Sequence, residues 1–206
     1  MTIHIKQHLI LRGKHKDVLK VMNHIKGFPR TENALLDLNK IVPMPPAVKV
    51  TDELENLDII INRHCERQEC EAHRRRIANA EAVCKEQTGF AGWHDWSINH
   101  WGCKGNAYWI KPLLRTNTEL TFHTSTLPAF AAMQTLSTQF TEIVIELEYI
   151  DTSRMIIGRA LFAEGDGCDG SLGWDSLEAK ALRHRLLGEA EDPNKRDFII
   201  KAQGIH

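Results

Sequence analysis

Residues 93–110 read W-H-D-W-S-I-N-H-W-G-C-K-G-N-A-Y-W-I and hold four of the five tryptophans in a chain of 206 residues. Each such ring removes roughly 150–250 Å² from water when buried. A run this dense therefore either fills the centre of a core or builds an aromatic recognition surface. The expectation is core: Trp96 and Trp101 buried, with Trp93, Lys104, Asn106 and Trp109 completing the motif.

Upstream, residues 3–11 alternate Ile3, Ile5, Leu9 and Leu11 against His4, Lys6 and His8, the period of a half-buried strand. Residues 14–26 place Val18, Leu19, Met22 and Ile25 at helical spacing, and Gly27 with Pro29 stops that helix. The segment 35–46, L-L-D-L-N-K-I-V-P-M-P-P, predicts an extended edge piece, because prolines lack the amide a central strand needs. From Thr51 to Gln87 there is neither proline nor glycine. Leu54, Leu57, Ile61, Ile77, Ala80 and Cys84 recur every three or four residues, which predicts two helices with a bend near Cys70 and an inward apolar stripe.

Downstream, 106–110 and 119–124 predict a hairpin. Leu127-Pro128 opens a helix whose inward face is Phe130, Met133, Leu136 and Phe140. Residues 142–150 alternate Ile143, Ile145, Leu147 and Tyr149 against glutamates, and 155–162 add a strand beside them. The glycine-rich 164–174 reads as a loop, 175–187 as a capped helix with Leu177, Ala181 and Leu182 inward, and 197–202 as a short strand. The pattern is α+β: a βαββαβ antiparallel sheet with helices on one face, a helical insertion at about 47–90 and a C-terminal helical appendage over 164–206 packed on the domain formed by 1–163.

Hydrophobic residues at 42%, charged residues at 26% and a formal net charge of -1 describe an ordinary globular chain with no global pull toward polyanions. Any such binding must be local. Five cysteines at irregular spacing argue against a secreted disulfide framework and for a reducing, cytoplasmic setting. The N-terminus alternates rather than carrying an apolar signal core, and no run of about 18 apolar residues exists, so no membrane association is expected.

The order I-V-P-M-P (41–45), a helical insertion, W-x4-W-G-x-K-x-N-A from Trp96 to Ala107, and L-T-F-H-T-S-T-L-P (120–128) before a helix resembles the YubB-type family carried by plasmids and phages. The resemblance spans roughly residues 3–163 and implies a ferredoxin-like domain, with no established activity. "Ferredoxin-like" names a topology, and no C-x2-C spacing is present to hold iron and sulfide. Family members generally read N-W-G-T-K-W-D/N-A at the motif. Here His100 precedes Trp101, Cys103 takes the threonine place and Gly105 that of the second tryptophan, while Leu127-Pro128 stands where relatives tend to have W-S-P-P.

Three constellations invite chemistry. His64, Cys65, Cys70 and His73 are zinc-type ligands. On a helix, however, Cys65 lies more than 100° round from Cys70, so no metal and no cofactor is expected. Arg63, Arg67, Arg74, Arg75 and Arg76 could meet a partner or phosphates, but Glu66, Glu69 and Glu71 interleave with them as on a solvated helix. The outward set Arg63, Arg67, Glu69, Arg74, Arg75 and Arg76 is the expected partner surface. His94, Asp95, His100, Cys103 and His123 could supply a Cys-His pair, yet eleven histidines make clustering unsurprising.

The leading expectation is a non-enzymatic interaction protein of a mobile genetic element, binding a host or element-encoded protein and in one version inhibiting a host defence nuclease. A nucleic-acid-binding module using the arginine-rich helix and a small hydrolase or thiol enzyme are the alternatives. Oligomeric state is not legible.

Overall fold

The structure is a computed structural model that describes residues 3–61, 67–113 and 118–188. In chain order its elements are β1 (His4–Arg12), α1 (His15–His24), α2 (Leu38–Ile41), α3 (Pro46–Ile61), α4 (Arg67–Thr88), α5 (Trp93–Trp101), β2 (Lys104–Pro112), β3 (Glu119–Ser125), α6 (Phe130–Gln139), β4 (Val144–Asp151), β5 (Ile156–Ala163), β6 (Asp166–Ser171) and α7 (Leu177–Leu187). The strands form one six-stranded sheet in the order β2-β3-β1-β4-β5-β6, and every neighbouring pair is antiparallel.

Alternation along the strands divides their side chains between two faces. On the first face, Leu9, Leu11, Leu120, Phe122, Ile145, Leu147, Ala160 and Phe162 meet Val18, Val21 and Met22 of α1, Trp96 and Trp101 of α5, and Met133 and Leu136 of α6. Polar side chains enter this layer as well. Gln7, fully buried, donates to Thr124 Oγ1 at 2.5 Å and accepts from the Ala129 amide at 3.0 Å, which anchors the start of α6 over the central strand.

Helices α1 and α6 share this first face, and the C-terminal α7 lies on the other. Its Ala179, Leu182 and Leu186 pack on Ile150 and Ile157, residues of opposite alternation to Leu147. Spacing by three and four makes 179, 182 and 186 the inward stripe once Ser176 caps the helix by accepting the Ala179 amide at 3.1 Å. In consequence Leu177 is 84% exposed and Ala181 is exposed as well, against the expected inward placement.

The segment 35–46 is not an extended edge. Asp37 accepts the Asn39 amide at 3.0 Å and Asn106 accepts the Leu38 amide at 2.9 Å, so a single helical turn outcompetes the strand and buries Leu36, Leu38 and Ile41. Pro46 then opens α3, where a missing amide costs nothing. The glycine-rich 164–174 is not simply a loop either. Glu164 and Gly165 both take positive φ, 54° and 90°, between the paired Ala163 and Asp166, the signature of a two-residue hairpin that lets β6 pair with β5. Gly158 permits the rest. A Cβ there would collide with the Tyr149 hydroxyl, whose side chain crosses the glycine to donate to Asp169 at 2.7 Å.

In the insertion, Cys70 sits inside α4 rather than at a bend, and the two helices part between Ile61 and Arg67. Leu54 is buried and Ile77 and Ala80 are half-buried, but Leu57 is exposed, so the stripe is narrower than its spacing predicts; the Ile61 side chain lies outside the described residues. The strand expected at 197–202 lies outside the described residues. Among the described residues no helix is long and apolar enough to cross a membrane.

Candidate functional site

The tryptophan motif is a structural clasp. Gly92 begins α5 without a side-chain cap of its own, and Thr51 of α3 supplies the missing acceptor, taking the Trp93 amide at 3.0 Å. Trp93, half-buried, donates its indole N–H to Glu55 at 2.7 Å and carries the Lys104 ammonium 5.4 Å from its ring centroid. Trp96 and Trp101 are buried edge to face, 5.4 Å apart at 85°, and Trp101 donates to the Val42 carbonyl at 2.9 Å. Gly102 ends the helix at φ 85°, and a Cβ on it would come within 2.9 Å of the Phe130 amide, which explains the W-G pair. Asn106 accepts the Leu38 amide and donates to Asp37 at 2.7 Å. The motif thus locks α3, α2 and α5 to the head of β2.

The other expected groups are dispersed. Arg74, Arg75 and Arg76 are exposed on α4; Arg67 and Glu69 stand on its first turn with side chains outside the described residues, as are Arg63, His64 and Cys65. Cys70 is half-buried, and buried His73 lies 3.0 Å from the Leu54 carbonyl through Nε2. Among the described residues no three His, Cys, Asp or Glu side chains converge as a metal site would require. The candidate Cys-His set does not assemble either. His94 faces Asp95, and His100 stacks on Trp96 with Nδ1 at the Trp96 carbonyl. Cys103 is fully buried, and burial pushes its thiol up to about 12, so it stays protonated and is no nucleophile at neutral pH.

What sequence reasoning missed is the second face of the sheet. The half toward β4 and β5 is filled by α7 and by a charge network centred on Glu148, which is fully buried. His8 Nδ1 lies 3.1 Å and Arg159 Nη2 3.0 Å from its oxygens, and Arg185 of α7 reaches the same carboxylate. His8 Nε2 meets Glu119 at 2.9 Å, while Arg159 and Arg12 both hold Glu146. Burial alone would raise the Glu148 pKa, but the hydrogen bond from His8 and the charges of Arg185 and Arg159 outweigh it and hold the carboxylate below its ordinary range. Through Arg185 this network fastens α7 to the sheet.

Among the described residues no helix covers the half of this face toward β2, which is differently made. Between Tyr108↔His123 and Lys111↔Thr121 strand β2 carries one residue more than β3, a bulge that places Trp109 at φ 51°. Tyr108 and Trp109 consequently present rings to the same neighbours. Trp109 stacks on His4 with centroids 5.3 Å apart at 23° and meets His123 edge-on at 5.1 Å; Tyr108 lies parallel to His123 at 6.1 Å and its hydroxyl is 2.6 Å from His4 Nδ1. The indole is nonetheless 61% exposed. Burial, followed by the charges of Lys6, His4 and Lys111, pushes the His123 imidazole down to about 4, so it is neutral at pH 7, and its Nδ1 is buried without a hydrogen-bond partner. Among the described residues neither Lys6 nor Lys111 enters an ion pair. A sequence signal existed in His4, Lys6 and His8 set against Glu146 and Glu148 on what prove to be adjacent strands.

No family model matches this chain, and no curated protein does. Among solved structures the chain is similar to protein api92 from Yersinia pseudotuberculosis, described under the family model DUF1281, at 12% identity and a TM-score of 0.41 over 84% of this chain and 99% of that chain.

Proposed function

We propose that this chain is a non-enzymatic binding protein of a mobile element and that its contact surface is the open half of the sheet around Trp109, rather than the arginine-rich helix. One observation carries the reading. A bulky residue in the left-handed region costs roughly 1–3 kcal/mol, and leaving an indole in water forgoes its burial; Trp109 does both. Strain and exposure each oppose stability, and a contact made by the exposed ring is what accounts for keeping them.

The order β2-β3-β1-β4 with α1 and α6 on one face supports a ferredoxin-like unit extended by β5 and β6. The motif order along the chain supports a place among YubB-type proteins, counter-defence being one role open to such an element. Free Cys84, Cys103 and Cys168 suit a reducing cytoplasm. Capture from host lysate tests the contact surface. Trp109→Ala should lose the captured partner at an unchanged melting temperature, whereas joint replacement of Arg74, Arg75 and Arg76 by alanine should keep it. The converse result would overturn the assignment.

A further inference from the structure

We infer that the open half-sheet binds single-stranded nucleic acid, with bases stacking on the Trp109–His4 pair and Lys6 and Lys111 meeting phosphates. This rests on the reading of that surface as the contact and names its occupant.

The surface has the two components such binding requires, a flat aromatic platform and a cationic flank. The platform is Trp109 laid over His4 at 23°, with Tyr108 and His123 behind it, and more than half of the indole faces solvent. Every base has a π-face, so the platform does not depend on sequence. The flank is cationic: among the described residues neither Lys6 nor Lys111 enters an ion pair, and their charges, with that of His4, act on His123. Because His123 is itself neutral at pH 7, it adds ring surface rather than another charge beside them. The carboxylates nearest on this face, Glu119, Glu146 and Glu148, are engaged by His8, Arg12, Arg159 and Arg185.

A duplex would hide the base faces that Trp109 could stack on. A protein partner would call for an apolar neighbourhood about the indole, since contact hot spots are anchors ringed by surface that excludes water. Around Trp109 the same-face neighbours are His4, Lys6, Tyr108, Thr121, His123 and Lys111, a set with no aliphatic side chain. With a net charge of only -1 and no global field, the attraction is local and should fade steeply with salt.

The test is fluorescence anisotropy on the purified full chain with labelled thymidine and uridine strands of about fifteen nucleotides, and with an abasic strand of equal phosphate count. Wild type should bind the thymidine or the uridine strand, and the abasic strand less tightly. Trp109→Ala should weaken binding to the base-bearing strand roughly 5- to 150-fold, the ratio equivalent to one stacked base, and Trp109→Phe should recover part of it. Joint Lys6→Ala and Lys111→Ala should flatten the salt slope by about 1.4, two phosphates at about 0.7 each. Equal affinity for the abasic strand, or no effect of Trp109→Ala, overturns the stacking. If neither strand binds at low salt while Trp109→Ala still abolishes lysate capture, the occupant is a protein and this inference fails alone. If binding is lost on replacing Arg74, Arg75 and Arg76 and not on replacing Trp109, the contact surface fails with it.

Discussion

Replacing Trp101 by alanine should unfasten the clasp at the centre of the chain. Trp101 is 2% exposed, lies edge to face with Trp96 and donates its indole N–H to the Val42 carbonyl. Truncating a buried aromatic to alanine costs about 3–5 kcal/mol, a figure that already contains most of the ring contact. Leaving the Val42 carbonyl without its donor adds about 1 kcal/mol, so the prediction is a loss of roughly 4–6 kcal/mol. For a chain of 206 residues each kcal/mol lowers the melting temperature by about 2–4 °C, which gives a fall of about 8–24 °C. Trp101→Phe separates the two contributions: it keeps a ring and drops the donor, and should cost about 1–3 kcal/mol. Urea titration followed by circular dichroism measures both variants. A Trp101→Ala midpoint within error of wild type would refute the assignment of the motif as a clasp, because a residue that can be removed freely holds nothing.

Two further predictions concern the charges beneath α7 and the open half-sheet. Glu148→Gln should destabilise the fold by about 3 kcal/mol, the low end for breaking a buried pair since Arg159 and Arg185 are half exposed and can regain water; the loss should be seen first as faster hydrogen exchange in α7, and unchanged exchange there would contradict the network's role. Stability should also fall on acidification between about pH 6.5 and pH 4. In that window the unfolded chain protonates His123 while the folded chain, with its pKa lowered to about 4, does not, and below about 4.5 the depressed Glu148 carboxylate adds a loss of the same sign. His123→Gln should flatten the upper part of this profile in pH-dependent denaturation, and an identical slope in the variant would remove His123 as its source.

Where local chemistry dominated, the chain was readable. Alternation placed β1 and β4, Gly27 and Pro29 marked the end of α1, and Pro128 marked the start of α6. Two misreadings share a cause. The segment around Leu38 looked extended because prolines follow it, but its helical turn is fixed by Asn106, 68 residues away, which no window of local sequence contains. Strand β6 looked like a loop because glycine weakens strands, yet Gly158 and Gly170 are what let Tyr149 and the neighbouring backbone come close. The aromatic run was half right as core: Trp96 and Trp101 are buried, whereas Trp109 is thrown outward by a bulge whose register depends on β3. The candidate site was hidden for the same reason. His4, Lys6, Lys111 and His123 carry no motif in sequence and become one surface only when three strands pair in register.

The middle position of β1 has a consequence for how the chain is made. His8 finds its partners at Glu119, 111 residues later, and at Glu148, 140 residues later. At ribosomal rates of about 5–20 residues per second, β1 waits roughly 7–28 s for β4 to emerge. Strand β3 can close one edge of β1 first, but the edge that pairs with β4 stays unpaired throughout that interval. The β4-β5-β6 meander closes through short turns and needs no such delay. Nascent chains that have not extruded β4 should therefore expose one unpaired edge of β1 to chaperones, and extrusion of β4 from the ribosome should release them.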